Sequence, residues 1–371
     1  MTTRENSEEP EQTSINSKQT LVGMDKESII GMVTGAGFPA FRGRQLYEWI
    51  YKHCALTFDE MTSLSKDFRT WLRDHCELGH PEVKEIRGGA DDGSRKILFK
   101  LADGKVVESV LMNDRDWQTL CVSSQVGCAV DCKFCMTGFG GFQRQMTRGE
   151  IVSQFILAKM MVNNGVAPRN MVFMGMGEPL LNFEEVAAAI RLLTDPEGLE
   201  ISARRITVST SGIVPGIIAL GNADTGVNLA ISLNGSNNES RTKIMPINKA
   251  YPIERLLEAC RNFPLRNRRR ITFEYVLLAE ENDSIQNAKE LVALVKDVPC
   301  KINLIPWNPD PQLPFRRPEV KRVEAFQQYL LDRHFAVSVR YSKGLDIGAA
   351  CGQLAAHWKE KAAAESGKTL A

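Results

Sequence analysis

The sequence predicts an α/β protein, an open or partial barrel of about six β/α units behind a small helical domain. Three observations carry this. Beyond Thr119, short apolar strands alternate with amphipathic helical segments, the pattern of parallel β/α units. Before it, from about Leu21 to Leu78, apolar residues recur at helical spacing instead. And most of the apolar strands are followed at once by glycine-rich or polar sequence, where a β/α barrel places its functional loops.

In chain order, residues 1–20 are polar, acidic and almost free of large apolar side chains, the composition of a disordered tail. Phe41-Arg-Gly-Arg-Gln-Leu-Tyr-Glu-Trp-Ile-Tyr51 and Phe68-Arg-Thr-Trp-Leu-Arg73 read as helices, broken at Gly35, Gly37 and Pro39. Lys96-Ile-Leu-Phe-Lys-Leu101 and Val106-Val-Glu-Ser-Val-Leu111, joined by Ala102-Asp-Gly-Lys105, read as a hairpin. Residues 21–112 are therefore assigned to an accessory domain plus hairpin, 113–354 to the barrel and 355–371 to a C-terminal tail. Within the barrel, strands are expected near 119–123, 171–174, 205–210, 227–233, 271–278 and 301–305, with a further one near 336–340. Thr147-Arg-Gly-Glu150 has the pattern of a capping box and opens a helix with Ile151, Phe155, Ala158 and Val162 on one face. A second helix is expected from Asn182, with Glu185 three residues on.

Composition narrows the function classes. Charged residues make up 25% of the 371 and the formal net charge is +1, so any nucleic-acid contact must come from local basic patches. No apolar run reaches the length of a membrane span, and the N-terminus lacks the apolar core of a signal peptide; the chain is expected in the cytoplasm, away from membranes. Nine cysteines in that setting read as metal ligands, catalytic thiols and buried fillers rather than a disulfide framework.

The chemistry concentrates at the strand ends. Cys128, Cys132 and Cys135 stand as C-x3-C-x2-C in one short loop. Three thiolates on a cubic [4Fe–4S] cluster leave one iron open to a ligand. A zinc knuckle and three ordinary buried thiols are the alternatives; structural zinc wants four ligands, and no further Cys or His lies at C-x2-4-C spacing. After the second strand comes Gly175-Met-Gly-Glu-Pro179, whose glycines admit a close ligand and whose Glu178 can accept from an ammonium group. The next two strands end in Ser209-Thr-Ser-Gly212 and Ser232-Leu-Asn-Gly-Ser236, with donors and acceptors suited to ribose hydroxyls or a carboxylate. Ile305-Pro-Trp-Asn-Pro309 offers Asn308 to an adenine edge and Trp307 for packing. Cys121 lies on the first barrel strand and Cys351 among small residues past the last; each is a reactive thiol or a buried filler. Cys54, Cys76, Cys260 and Cys300 read as fillers.

Taken together, Cys121-Val-Ser-Ser-Gln-Val-Gly-Cys128, the three cysteines, Phe173-Met-Gly-Met-Gly-Glu-Pro179, Ser209-Thr-Ser-Gly212, Met245-Pro-Ile-Asn248, Asn303-Leu-Ile-Pro-Trp-Asn-Pro309 and Asp346-Ile-Gly-Ala-Ala-Cys-Gly-Gln-Leu354 resemble the RlmN family of radical S-adenosylmethionine (SAM) RNA methyltransferases, from about Met24 to Leu354. The resemblance implies a partial (β/α)6 radical-SAM barrel with a helix-hairpin-helix-like accessory domain. It implies a [4Fe–4S] cluster on Cys128, Cys132 and Cys135, and two SAM per turnover, held by Gly177, Glu178, Ser209, the segment Ser232, Leu233, Asn234, and Asn308. The family commonly has His where this chain has Asn234, which leaves backbone contacts there and puts a side-chain role in question.

The implied activity is methylation of C2 of adenine in the peptidyl-transferase region of 23S ribosomal RNA, and beside the anticodon in tRNA. That carbon is electron-poor and will not attack a methyl sulfonium. By resemblance, Cys351 is methylated on sulfur, its carbon reaches C2 by a radical route, Glu108 accepts the C2 proton, and Cys121 attacks the Cys351 sulfur to give a transient disulfide. An electron-donating reductase and a monomeric state are implied as well. Candidate RNA contacts are Arg266-Asn-Arg-Arg-Arg270, Arg316-Arg317, Arg144 with Arg148, and the Arg42/Arg44/Trp49/Tyr51 helix. Two other readings stand beside this one: a Cfr-type adenine-C8 methyltransferase, against which Pro179 and the Ile305-Pro-Trp-Asn stretch speak, and a non-catalytic metal-containing ribosome-binding factor.

Overall fold

The structure, a computed structural model, describes residues 18–88, 93–114, 117–266, 268–344 and 347–354. At the N-terminus three helices, α1 (Lys26–Gly35), α2 (Ala40–Tyr51) and α3 (Lys66–His75), are closed by a parallel pairing of β1 (Gln19–Thr20) with β2 (Cys76–Glu77). Gln19 and Thr20, which the sequence reading placed in the polar tail, thus belong to a strand; residues 1–17 and 355–371 lie outside the described residues. Asp25 caps α1 by accepting from the Ser28 N–H at 2.8 Å, and the break before α2 is made by Gly37 and Pro39, as its sequence implies. Tyr51 is fully buried and its hydroxyl donates to the Met24 carbonyl at 2.8 Å, so this member of the proposed RNA-binding helix is a core residue instead.

Next come β3 (Glu82–Gly88), which sequence periodicity did not single out, and the expected hairpin, β4 (Arg95–Lys100) and β5 (Val106–Asp114). β5 pairs antiparallel with β6 (Trp117–Cys121), the first barrel strand, so the hairpin extends the barrel's own sheet. A small ribbon of β7 (Gln125–Gly127) and β8 (Phe142–Gln145) encloses the cysteine loop and the short α4 (Met136–Phe139). Helices and strands then alternate: α5 (Arg148–Leu157), β9 (Asn170–Phe173), α6 (Phe183–Thr194), β10 (Ile206–Thr210), α7 (Val214–Asn222), β11 (Asn228–Ser232), α8 (Asn238–Ile244), α9 (Ile253–Asn262), β12 (Ile271–Leu277), α10 (Ile285–Val295), β13 (Cys300–Pro306), α11 (Val320–Leu331) and β14 (Val337–Val339).

One ten-stranded sheet runs β14-β13-β12-β11-β10-β9-β6-β5-β4-β3, parallel from β14 to β6 and antiparallel beyond. All seven strands expected beyond Thr119 are present. Because every crossover carries an amphipathic helix back over the sheet, the C-terminal ends of the parallel strands share one rim. The sheet stays open, yet Lys96 on β4 reaches the Gly348 carbonyl beyond β14 at 3.2 Å, which brings the hairpin against the chain's last described segment.

The capping box before α5 forms as its sequence implies, with Thr147 and Glu150 bonding each other's backbone N–H. Ile151, Phe155, Ala158 and Val162 are all buried. Asn182 precedes α6 without capping it: its amide donates to the carbonyls of Ser124 and Met146 at 2.9 and 2.8 Å, tying α6 to the strands beneath, while Glu185 accepts from Arg148.

Candidate active site

The neck of the cysteine loop is set by a glycine. Gly127 has φ +77°, and a Cβ there would lie 1.7 Å from the Gly141 carbonyl oxygen, which also accepts from the Cys128 N–H at 3.2 Å. From that neck the loop is braced by distant segments. The Met136 N–H donates to the Gly352 carbonyl at 2.6 Å, the Lys133 N–H to Ile244 at 2.9 Å, and the Trp307 indole to the Phe134 carbonyl at 3.3 Å. Trp307 is thus a brace of the loop, and Cys351 is held beside it by its neighbour Gly352.

One cavity at the strand ends is lined by Cys128, Cys132 and Cys135 together with Gly177, Glu178, Ser209, Ser232, Asn234, Asn308 and Cys351. The sequence-predicted residues therefore converge, with three exceptions. Leu233 is fully buried away from the cavity, its carbonyl accepting from Arg241 Nε at 3.0 Å. Cys121 lies behind the wall on β6, and Glu108 lines a neighbouring cavity of about 380 Å³ with Val126, Gly127, Met136 and Met176. A larger cavity of about 640 Å³, between the N-terminal segment, the hairpin turn and α5, contains none of the cysteines.

Burial pushes the thiols up. Cys128 is raised to about 12 and Cys132 well above its ordinary value, in each case by desolvation first and by neighbouring cysteines of the triad after it. Cys121 is raised to about 12 by burial and then by Cys351, its neighbour in space. The Cys351 thiol is solvent-accessible although protein surrounds it, as befits a group on a cavity wall; burial raises it and Arg340 works against the rise. Cys54, Cys76, Cys260 and Cys300 are buried fillers, as expected.

Glu178 lies on the cavity wall. It is 3% exposed, its Oε2 accepts from the Ser211 N–H and hydroxyl at 2.7 Å each, and its Oε1 from the Leu180 N–H at 3.0 Å. These three bonds fix the carboxylate in place on the cavity wall and leave it acceptor capacity for a further donor. Its pKa is raised by burial and held back by Ser211. Gly177, at φ +98°, presses on β7: a Cβ would lie 2.5 Å from that of Gln125. Asn234 sits at φ 54°, a left-handed conformation that Asn tolerates. Its Oδ1 accepts from the Val276 N–H at 2.8 Å, its Nδ2 points to the Met245 sulfur, and its carbonyl accepts from Asn282 at 2.7 Å, so this residue ties the strand end to its neighbours. Asn308 donates to Ser342 Oγ at 2.7 Å, and its buried Oδ1 has no partner among the described residues. That acceptor suits an amino group on a ligand's edge.

Glu108 is not the solvated strand residue its sequence context favours. It is 3% exposed, with Lys96 Nζ at 3.3 Å from Oε1. On β5 it shares a sheet face with Val110, whose cross-strand partner is Cys121.

Three site residues escaped the sequence reading. Glu274 lines the cavity from mid-β12, with Oε1 accepting from Asn303 at 3.0 Å and Oε2 unpartnered among the described residues; a carboxylate inside an apolar strand was the available signal. Lys96 carried the same signal on β4. Arg241 is fully buried and donates to the carbonyls of Leu233, Ser211 and Ser232 and to Asn248 Oδ1, with burial pushing it down to about 10. On a short polar helix it read as a solvated charge.

Four of the ten proposed RNA-contact arginines pair with carboxylates. Arg144 bridges Asp103 and Glu150, Arg148 binds Glu185, Arg266 pairs with Asp224 and Arg316 with Glu280. The run at 266–270 precedes β12, at the end of the strands opposite the thiols. Arg317 lies over the exposed Tyr341 ring, 5.7 Å from its centroid, directly beside the cavity-lining Arg340.

The profile of the Radical SAM superfamily matches residues 122–292, and that of the ribosomal RNA large subunit methyltransferase N-terminal domain matches residues 19–78. Curated relatives include the dual-specificity RNA methyltransferases RlmN of Geotalea uraniireducens, 48% identical over 87% of this chain and 92% of that protein, and of Geobacter sulfurreducens, 48% identical over 90% and 91%. A solved radical SAM methyltransferase from Sphaerobacter thermophilus superposes with a TM-score of 0.87 at 43% identity, covering 91% of this chain and 99% of that one. Likeness at this level runs through the helical domain and the barrel alike, and the chain belongs to the RlmN family of radical SAM methyltransferases.

Proposed function

We propose that the protein methylates C2 of adenine in 23S ribosomal RNA and, next to the anticodon, in tRNA. The observation that supports this most is the place of Cys351 on the same cavity wall as the three loop thiols, with Cys121, from the opposite end of the barrel sequence, close enough to be felt electrostatically. One thiol to carry a carbon and a second to release it is what an electron-poor ring carbon requires.

The donor set fits a [4Fe–4S] cluster and SAM. Three thiols line one cavity and Asn308 leaves an unpartnered acceptor in it. Among the described residues no three His, Cys, Asp or Glu side chains converge closely enough to hold a single metal ion. A cubane gives each thiolate its own corner and asks for no such convergence. Cys128, Cys132 and Cys135 would hold the cluster, and the strand-end segments at Gly177 and Glu178, Ser209, Ser232 to Asn234, and Asn308 would hold SAM. Bound together, the two supply a methyl group for a thiolate and a radical able to abstract hydrogen.

The chain's own residues do the remainder. Cys351 takes the methyl group on sulfur and presents its carbon to C2. Glu108 accepts the C2 proton from the side of the hairpin. The Cys121 thiolate then attacks the Cys351 sulfur: the sulfur–sulfur bond forms as the sulfur–carbon bond breaks, the carbon keeps that bond's electron pair, takes up a proton and leaves with the RNA as a methyl group, and an external reductase restores both thiols. Among the described residues no helix is long and apolar enough to cross a membrane, and we place the protein in the cytoplasm as a monomer. Mass spectrometry of RNA from cells with and without the protein tests the reading. C2-methyladenosine present only with the protein is expected; a C8-methylated product, or no difference, would refute it.

A further inference from the structure

The mechanism above uses Glu108 and Cys351 but leaves a buried cation between them without a task. Lys96 and Glu108 are each 3% exposed, and the Lys96 Nζ stands 3.3 Å from Glu108 Oε1. The same ammonium donates to the Gly348 carbonyl at 3.2 Å, three residues before Cys351 in the chain. Cross-strand register fixes this geometry: Lys96 faces Val110 and Leu98 faces Glu108, so Lys96 lies diagonal to Glu108 on the face that also carries Cys121.

A buried ammonium is strongly disfavoured unless a specific arrangement repays its desolvation. Packing alone would be served as well by a methionine. We infer that Lys96 is a positioning residue for the release half of the reaction: one ammonium aims the Glu108 carboxylate and anchors the Cys351 segment against the hairpin that carries Glu108. The other charged groups about Glu108 are Arg87 on β3, which senses its charge, and Asp103 and Lys105 at the hairpin turn along the same cavity. Of the two cations among these, Arg87 is bound to Glu85 and Lys105 lies against Asp103, so neither takes the place of Lys96.

The inference rests on the proposed function, and its test separates the two. Carbon–carbon bond formation at C2 needs no base, whereas release does. Lys96→Met should therefore accumulate RNA covalently attached to the protein, as a slow-migrating, nuclease-sensitive band on denaturing gels. Methylated RNA should form at least about tenfold more slowly than in the parent, a loss typical of general-base assistance. Lys96→Arg, which keeps the charge, should release product faster than Lys96→Met.

Cys121→Ala is run alongside. If it traps no RNA, the proposed function fails. If it traps RNA while Lys96→Met releases product at the parent rate, or while Lys96→Met forms no adduct, the inference about Lys96 fails. Should Lys96→Met not fold, the double variant Lys96→Met/Glu108→Gln, with no buried charge left, is expected to fold and trap RNA. A double variant that also fails to fold would make Lys96 merely structural and overturn the inference.

Discussion

Ser211 grips Glu178 twice, its backbone N–H and its hydroxyl each 2.7 Å from the same carboxylate oxygen, so the loops after β9 and β10 meet through one acceptor. Both loops line the cavity beside the three thiols. Ser211→Ala removes one of the two donors to a buried charge and should cost about 1.5–3 kcal/mol of stability. Urea unfolding reads this directly; an unshifted midpoint would mean that the hydroxyl contributes nothing.

Arg241 ties the same Ser211 carbonyl to those of Ser232 and Leu233 and to Asn248. Replacing it leaves several acceptors buried and unpaired. Arg241→Met should destabilise by at least about 3 kcal/mol and weaken SAM binding by the apo-protein, measured by equilibrium dialysis. A stable variant with parent affinity would show that the loops hold their positions without it.

Asp103, in the hairpin turn, is held below its ordinary value of 3.8, chiefly by the Arg144 guanidinium that also grips Glu150 on α5. A depressed folded-state value stabilises above the unfolded value, and that stabilisation is lost as pH falls through the folded one. Parent and Asp103→Asn should therefore differ in melting temperature near neutrality and converge on acidification below pH 3.8. The difference should be small, because the pair is partly exposed and screened by salt. A gap that widens toward acid would contradict this linkage.

Any single substitution of Cys128, Cys132 or Cys135 by Ala should abolish iron loading and the visible absorbance gained on anaerobic reconstitution, since two thiolates cannot hold a cubane in place of three. Iron content per chain measures it. In the parent, loading should rise with pH, because Cys128 and Cys132 are raised by burial and must lose protons to bind iron. A triple-Ala protein that still forms 5′-deoxyadenosine from SAM would remove the cysteine loop from the chemistry.

What the sequence conveyed and what it withheld divide along a physical line. Strands and helices were legible because burial imposes a period: the seven strands beyond Thr119, and the Ile151/Phe155/Ala158/Val162 face. Cys128, Cys132 and Cys135 were legible because metal ligation imposes a local spacing. Charged residues whose partners lie far away in the chain gave no such period. Nothing in the sequence singled out Arg241, Lys96 or Glu274, and the buried place of Glu108 beside Lys96 became visible only in the fold. Arg144, Arg148, Arg266 and Arg316, which look like free basic surface in sequence, are each paired with a carboxylate in the fold. Glu178 was found by its motif, but its carboxylate serves Ser211 and Leu180.

The central claim is that Cys351 carries a carbon to adenine and Cys121 frees it. Denaturing gels of each variant, purified with its bound RNA, test that most directly. Cys121→Ala should show a nuclease-sensitive, slow-migrating protein band, because no thiolate remains to attack the Cys351 sulfur. Cys351→Ala should show none, and the double variant should behave as Cys351→Ala does. If neither single variant retains RNA, or if Cys351→Ala retains as much as Cys121→Ala, the covalent route through these two thiols is wrong.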